Sequence, residues 1–324
     1  MDHFGIVRRA LRITLRYRML WVFGLLLAAC SGSGGGGTGP GYRFDASDVQ
    51  RYGVPRLAEP DLMAILGVVL AVVVVVGILA IFLGLVATVI SYLSHTALIR
   101  AVDDYEVTGI RRSLGEGIRI GWSWRAARLF LIDLVVTIPT GILFVALFFF
   151  ALAPLLLWAT GSDTAGIIGT VTTVGLVVLV IMLGLLVALA LSLLRPFFWR
   201  AAVLEDRGVF EAIGRGFRVV RDRFKDAAVM WLILLAIRIA YGLAVVLAAI
   251  VLAILGLMVG GLLGWVTYAL ASLVFYGSTP AVLGVLLGVP VGLTVLVLPL
   301  LFLSSLAAVF RSTLWTLTYR ELAA

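Results

Sequence analysis

Long apolar runs alternate three times along this chain with short, two-faced basic segments. Leu62–Ser94, Thr164–Leu194 and Ala281–Phe310 carry no charge, Leu129–Trp158 is interrupted only by Asp133, and Ala227–Val259 only by Arg238. Each exceeds the roughly 20 apolar residues that cross ~30 Å of hydrocarbon. Met19–Cys30 is shorter. The pattern predicts an all-α polytopic membrane protein with about six transmembrane helices, arranged as three hairpin-like units with cytoplasmic amphipathic helices. On this reading residues 1–324 form a single membrane domain. It begins with a basic amphipathic helix over 1–18, a short span over 19–30 and a Gly-rich outer loop over 31–61. A span over 62–94, an amphipathic segment over 111–128 and spans over 129–158 and 164–194 follow. The third unit has an amphipathic segment over 209–226, spans over 227–259 and 281–310 around an outer segment at 260–280, and a cytoplasmic tail at 311–324.

The amphipathic segments carry the clearest helical period. Phe210, Ile213, Phe217, Val220 and Phe224 recur at spacings of three and four, with Glu211, Arg215, Arg218, Asp222 and Lys225 on another stripe. That is the signature of a two-faced helix. Leu114, Ile118 and Trp122 form a shorter row, and Phe4, Val7, Leu11 and Leu15 another. The segments also repeat in sequence. Glu116-Gly117-Ile118 aligns with Glu211-Ala212-Ile213, and Leu98-Ile99-Arg100-Ala101 with Phe198-Trp199-Arg200-Ala201, while Val309-Phe310-Arg311-Ser312 stands at the equivalent exit of the last span.

Charge orients the pattern. All Lys and Arg residues except Arg43, Arg51, Arg56 and Arg238 fall in segments assigned to one side, and the connections at Gly161–Ala165 and Gly260–Pro280 contain none. The positive-inside rule puts that side, and both termini, in the cytoplasm. The net charge of +8 therefore faces anionic lipid headgroups, worth ~1 kcal/mol per basic residue near the surface. Arg119, Arg125, Arg215, Arg218 and Arg221 are the candidate headgroup contacts. Nucleic acid is not an expected partner, because no base-stacking module accompanies the charge.

Candidate chemistry is sparse. The two histidines, His3 and His95, cannot build a His-based zinc site, and no serine sits in a nucleophile elbow. No catalytic, cofactor or metal residue is expected. His95, beside Ser91 and Ser94, reads as a capping or surface residue. Asp133 and Arg238 are charges within apolar runs, which makes them a candidate intramembrane pair; counting from the start of its run sets Arg238 ~16 Å deep at 1.5 Å per residue. A structural ion pair and a substrate path both accommodate them. Leu27-Ala28-Ala29-Cys30 resembles a lipoprotein cleavage site, so Cys30 is a candidate for lipidation, against the alternative of a short first span ending in Cys. Gly284, Gly288 and Gly292 recur every fourth residue, as do Gly256, Gly260 and Gly264. These rows suit close helix packing within the chain, or a homodimer or protein partner through Gly284, Gly288 and Gly292.

Val203-Leu204-Glu205-Asp206-Arg207-Gly208-Val209-Phe210, running into Gly216-Phe217-Arg218-Val219-Val220-Arg221, has a family look. So do Tyr17-Arg18-Met19-Leu20-Trp21 and Trp315-Thr316-Leu317-Thr318-Tyr319-Arg320-Glu321. They resemble the membrane domain attached to some bacterial glycerophosphodiester phosphodiesterases and its stand-alone relatives. The resemblance implies a membrane helix at Met19–Cys30 and no phosphodiesterase activity, since the catalytic domain is absent from these residues. The combined expectation is a non-enzymatic protein of the bacterial inner membrane with a structural, assembly or lipid-interacting role. The alternatives are a small transporter or channel passing Arg238 and Asp133, and an accessory subunit of a larger membrane complex.

Overall fold

The structure, a computed structural model, describes residues 2–30, 62–109 and 113–323. The Gly-rich stretch and the outer loop expected at 31–61 lie outside the described residues. Among those described there are α-helices, one 3-10 helix and no strands. The helices are α1 (His3–Arg16), α2 (Met19–Cys30), α3 (Leu62–Thr108), α4 (Leu114–Gly121) and α5 (Trp124–Leu152), followed by a 3-10 helix (Ala153–Thr160). α6 (Asp163–Leu204), α7 (Val209–Asp222), α8 (Phe224–Ala271) and α9 (Thr279–Ala323) complete the chain. Five helices are long and apolar enough to cross a membrane, and α1 with α2 adds a sixth only if that bent pair is one span. At ~1.5 Å per residue, α2 alone rises ~18 Å, short of the hydrocarbon thickness.

In each unit the helical backbone breaks between the amphipathic helix and the helix that follows it. The bend between α1 and α2 is 95°. It is held by the Trp21 indole N–H, which donates to the Thr14 carbonyl at 2.7 Å and so satisfies a group that the end of α1 leaves open. Ser113 and Glu116 form a capping box on α4, which ends at Gly121 before Ser123 opens α5. At Arg223 the chain leaves α7 and enters α8 with a non-helical backbone. The amphipathic segments are therefore shorter than the sequence period suggested, because their last residues already belong to the long helices.

The three units close into a ring. α4 packs against α3 and α7 against α6, each on the exit helix of the preceding unit, and α1 completes the circle on α9. The exit helices α3, α6 and α9 also touch one another. Their C-terminal turns form the core: Leu98, Ile99 and Val102 of α3, Phe197, Ala201 and Val203 of α6, and Val309, Leu314 and Leu317 of α9 are all buried. The Phe197 ring meets Trp315 at 5.4 Å and Tyr319 at 6.2 Å between centroids. By contrast, no more than 11% of the most apolar stretch of any long helix is buried. Residues expected as a cytoplasmic tail from Arg311 onward are instead a continuation of α9, and Ser312–Tyr319 are buried throughout. The segment expected outside at 260–280 is helical as far as Ala271.

Small residues set the closest approaches. A Cβ built on Gly260 would lie 2.6 Å from the Gly288 carbonyl oxygen, on Gly256 2.7 Å from that of Gly292, and on Gly264 2.9 Å from that of Gly284. The two glycine rows thus face each other antiparallel within one chain, and the row Gly284, Gly288, Gly292 has no room on that face for a helix from a second copy. Gly24 seats α2 on α9 in the same way, 2.6 Å from the Ser305 carbonyl by the same construction. The Ser305 hydroxyl donates to the Trp21 carbonyl at 2.7 Å. Gly260→Leu should lower the thermal midpoint of the detergent-purified protein, by the equivalent of about 1–3 kcal/mol for overpacking. Gly261→Leu, one residue on and facing open space, should leave it unchanged.

Candidate functional site

The polar groups that the sequence singled out gather at the basic end of the ring, in three separate clusters. Asp133 of α5 is the centre of the first. It accepts from the Tyr92 hydroxyl at 2.7 Å and from the Trp199 indole at 3.1 Å, and it pairs with Arg195 Nε at 2.8 Å. Arg195 also donates to the Thr137 hydroxyl at 3.0 Å. α5 is thereby tied to both α3 and α6. The expected Asp133–Arg238 pair does not form. α5 sits between α3 and α6 in the ring, whereas Arg238 lies on α8 beyond α6. The partner is Arg195, the residue directly after the charge-free run Thr164–Leu194. α6 continues through Pro196 to Leu204.

The second cluster is the turn between α6 and α7, which carries the Glu205-Asp206-Arg207-Gly208 sequence. Glu205 accepts from Arg207 at 2.6 Å, from Arg215 at 3.3 Å and from the Tyr319 hydroxyl of α9. Burial acts to raise its carboxyl pKa, but the hydrogen bonds from Tyr319, Arg207 and Arg215 together outweigh it and hold the group below its ordinary range. Asp206 adopts a positive φ of 55°, a conformation that Asp tolerates better than most residues. Its carboxylate is clamped by Arg125 at 3.0 Å and Arg128 at 2.6 Å, both from α5.

These contacts divide the five candidate headgroup arginines. Arg125 and Arg215 are committed to carboxylates of the chain itself. Arg221 lies 3.6 Å from its neighbour Asp222, and Arg218 donates to the Gly214 carbonyl of its own helix at 3.4 Å. Arg119 is exposed and has no ion pair among the described residues. The apolar rows divide as well. On α7, Ala212, Gly216, Val219 and Val220 pack inward, while Phe210, Phe217 and Phe224 are exposed. Phe4, Leu11 and Leu15 of α1, and Leu114, Ile118 and Trp122 of the α4 unit, are exposed too.

The third cluster is cationic. Arg200 of α6 is buried, donating to the Pro196 carbonyl at 2.8 Å and to the Ser312 carbonyl of α9 at 3.0 Å. Arg311 is within electrostatic reach of Arg200, His95 and Arg238. His95 lies inside α3, half-buried, with its ring 4.7 Å from that of Trp199, and is neither a helix cap nor a surface residue. The antiparallel register of the glycine rows, carried down the α8–α9 hairpin, brings Arg238 level with Phe310 and Arg311. The depth expected for Arg238 took the start of its helix as the membrane boundary. The first turns of α8 belong to the core at the basic end, where Ala227, Met230 and Leu234 are buried.

No group of three or more His, Cys, Asp or Glu residues able to hold a metal ion occurs among the described residues. Cys30 ends α2 and is half-buried. Across residues 7–316 the chain matches one family. It belongs to DUF7544, a family of unknown function. No curated protein and no solved structure matches it. The match covers all three units, so the ring described above spans the family's region almost entirely.

Two outcomes follow from these clusters. Glu205→Gln should lower the thermal midpoint at neutral pH, by the equivalent of about 1–3 kcal/mol for hydrogen bonds to a charged group. The folded carboxyl titrates below its ordinary 4.5, so its stabilisation is complete above that value and is lost as pH falls through the folded one. The gap between variant and parent should therefore close on acidification. For the first cluster, Asp133→Asn should couple strongly to Arg195→Gln in a double-mutant cycle of thermal midpoints. With Arg238→Gln its effects should add to within about 0.5 kcal/mol, as for residues that are not neighbours.

Proposed function

We propose that this protein is a non-enzymatic integral protein of the bacterial inner membrane, whose basic end engages the anionic inner leaflet. One observation carries the reading: all three amphipathic helices leave an aromatic or aliphatic row exposed beside exposed arginines, around the same end of the ring. Phe210 and Trp122 are 77% and 74% exposed. Repeated exposed rows of this kind are costly in water and mark an interaction surface. A helix with Phe or Trp on one stripe and Arg on the next fits the headgroup plane, its apolar face buried ~5–10 Å into the acyl boundary. The positive-inside rule makes this end, and with it both termini, cytoplasmic. Arg8, Arg12, Arg16, Arg119 and Arg218 are exposed around it and supply the electrostatic part. The transport alternative loses its main support, since Asp133 and Arg238 sit in different clusters.

The test is the depth of the collar in the full-length protein reconstituted into phosphatidylglycerol-containing vesicles. In a Cys30→Ser background, spin labels are placed at Phe217→Cys and Arg218→Cys. The label at 217 should be more accessible to oxygen than to a water-soluble nickel complex, and the label at 218 the reverse. Preferential access of the nickel complex to both positions would sink the reading.

A further inference from the structure

The cationic cluster has a property that the collar does not explain: positive charge accumulates around a buried arginine with no counter-ion. Arg200 is only 4% exposed. Two of its guanidinium nitrogens donate to backbone carbonyls, and its Nε is buried without a partner. The Ser312 and Thr313 hydroxyls, adjoining Arg311 in sequence, are buried and unpartnered as well. Among the described residues no carboxylate pairs with Arg200, Arg238 or Arg311. An uncompensated buried cation costs several kcal/mol, and a backbone carbonyl offers only a partial charge to offset it. The equivalent arginine in the first unit differs. Arg100 has Asp103 one turn along its own helix, within electrostatic reach, whereas Val203 and Leu314 stand three residues after Arg200 and Arg311.

The packing supplies an approach. In the ring, α2 lies firmly against the preceding exit helix α9, and α5 contacts its counterpart α3. α8 is drawn instead onto its own hairpin partner α9 by the facing glycine rows, and touches α6 only slightly. Arg238 of α8 and Arg311 of α9 are exposed, whereas Arg200 of α6 is buried. The stretch of α8 that follows Arg238 exposes apolar residues, Ile239 and Leu243 among them, a surface suited to acyl chains. The level of the arginines is that of the helix exits, where headgroups meet the protein.

We infer that Arg200, Arg238 and Arg311, with the Ser312 hydroxyl, form a binding site for a phosphate group, entered along the seam between α6 and α8. Guanidinium groups suit phosphate through paired, charge-assisted hydrogen bonds, and the free Arg200 Nε is the buried donor that such a group would satisfy. The phosphate of an anionic lipid and a free phosphate ion share this chemistry; the exposed apolar stretch of α8 after Arg238 favours the lipid. The inference deepens the reading of the protein as a binder of anionic lipid, but it rests on residues that are not part of the amphipathic collar.

The experiment follows the thermal midpoint of the full-length protein in detergent during titration with phosphatidylglycerol, phosphatidylcholine or inorganic phosphate. The parent should be stabilised saturably by phosphatidylglycerol and not by phosphatidylcholine. The exposed pair Arg238→Gln with Arg311→Gln should weaken half-saturation about tenfold or more, as expected for loss of charged hydrogen bonds. Arg119→Gln with Arg218→Gln, on the collar, should leave it unchanged. Stabilisation by inorganic phosphate that is lost in the Arg238/Arg311 variant would uphold the site and assign it a free anion. An unaltered phosphatidylglycerol response in that variant, or no response of the parent to either phosphate source, would overturn the inference. Loss of the response in the collar variant alone would overturn it too while leaving the collar reading intact. A failed spin-label test with the cluster response preserved would do the opposite.

Discussion

Lipid gives apolar helices no hydrophobic reason to associate, and the rest of the structure depends on how the chain meets that constraint. The long helices barely bury their most apolar stretches in one another. Cohesion is concentrated where the helices leave the hydrocarbon: the last turns of α3, α6 and α9 converge there in a core that contains Phe197, Leu98, Ile99 and Leu314. At that level water is available as the poorer alternative, so burial again stabilises, at roughly 25 cal/mol per Å² of apolar surface. The amphipathic helices are what make the core possible. Each lies on a neighbouring exit helix through a face that includes small residues, Ala10, Gly121, or Ala212 with Gly216, and leaves an apolar row exposed on another face.

The arrangement explains which parts were legible in the sequence. Period and repetition were visible, because each unit must solve the same packing problem with the same kind of helix; the rows Phe4–Leu11–Leu15 and Phe210–Phe217–Phe224 lie where their spacing put them, on exposed stripes. Val220 belonged to the same row by period but packs inward, since α7 is gripped by α6 over a wider arc than a single stripe. Quantities that depend on which helices are neighbours were not legible. Asp133 has Arg195 as its partner because the ring inserts α5 between α3 and α6, and nothing in the spacing of charges along the chain encodes that insertion. The level of Arg238 relative to the membrane surface was not legible for a related reason. Hydropathy does not distinguish a helix turn buried in protein beneath the membrane from one immersed in lipid, so the start of an apolar run is a poor marker of the membrane surface.

The third unit departs from the pattern of the other two, and the departure has a mechanical origin. Close approach of two helix backbones along several turns needs small residues on both, and among the described residues only α8 and α9 supply facing glycine rows of three. Their mutual attraction competes with the ring contact that α8 would otherwise make with α6. α2 packs on both α3 and α9, and it settles against α9 through Gly24. Loosening of one seam in an otherwise closed ring is thus a consequence of the glycine rows, and it falls at the place where Arg200, Arg238 and Arg311 are grouped.

The distribution of carboxylates strengthens that association. Asp133 holds Arg195 of α6, Glu205 holds Arg215 of α7, and Asp206 holds Arg125 and Arg128 of α5. Asp103 holds Arg320, and Glu106 holds Arg9. Each of these pairs ties two elements together, and together they fasten α1, α3, α5, α6, α7 and α9. Arg200 is the exception, since it is buried and yet, like the neighbouring Arg238 and Arg311, ties nothing to a carboxylate among the described residues. If their role were only to anchor helix ends, an acidic residue at the position of Val203 or Leu314 would serve as Asp103 does beside Arg100. Leaving the charge uncompensated at a loosened seam is intelligible when the missing negative charge arrives from outside the chain.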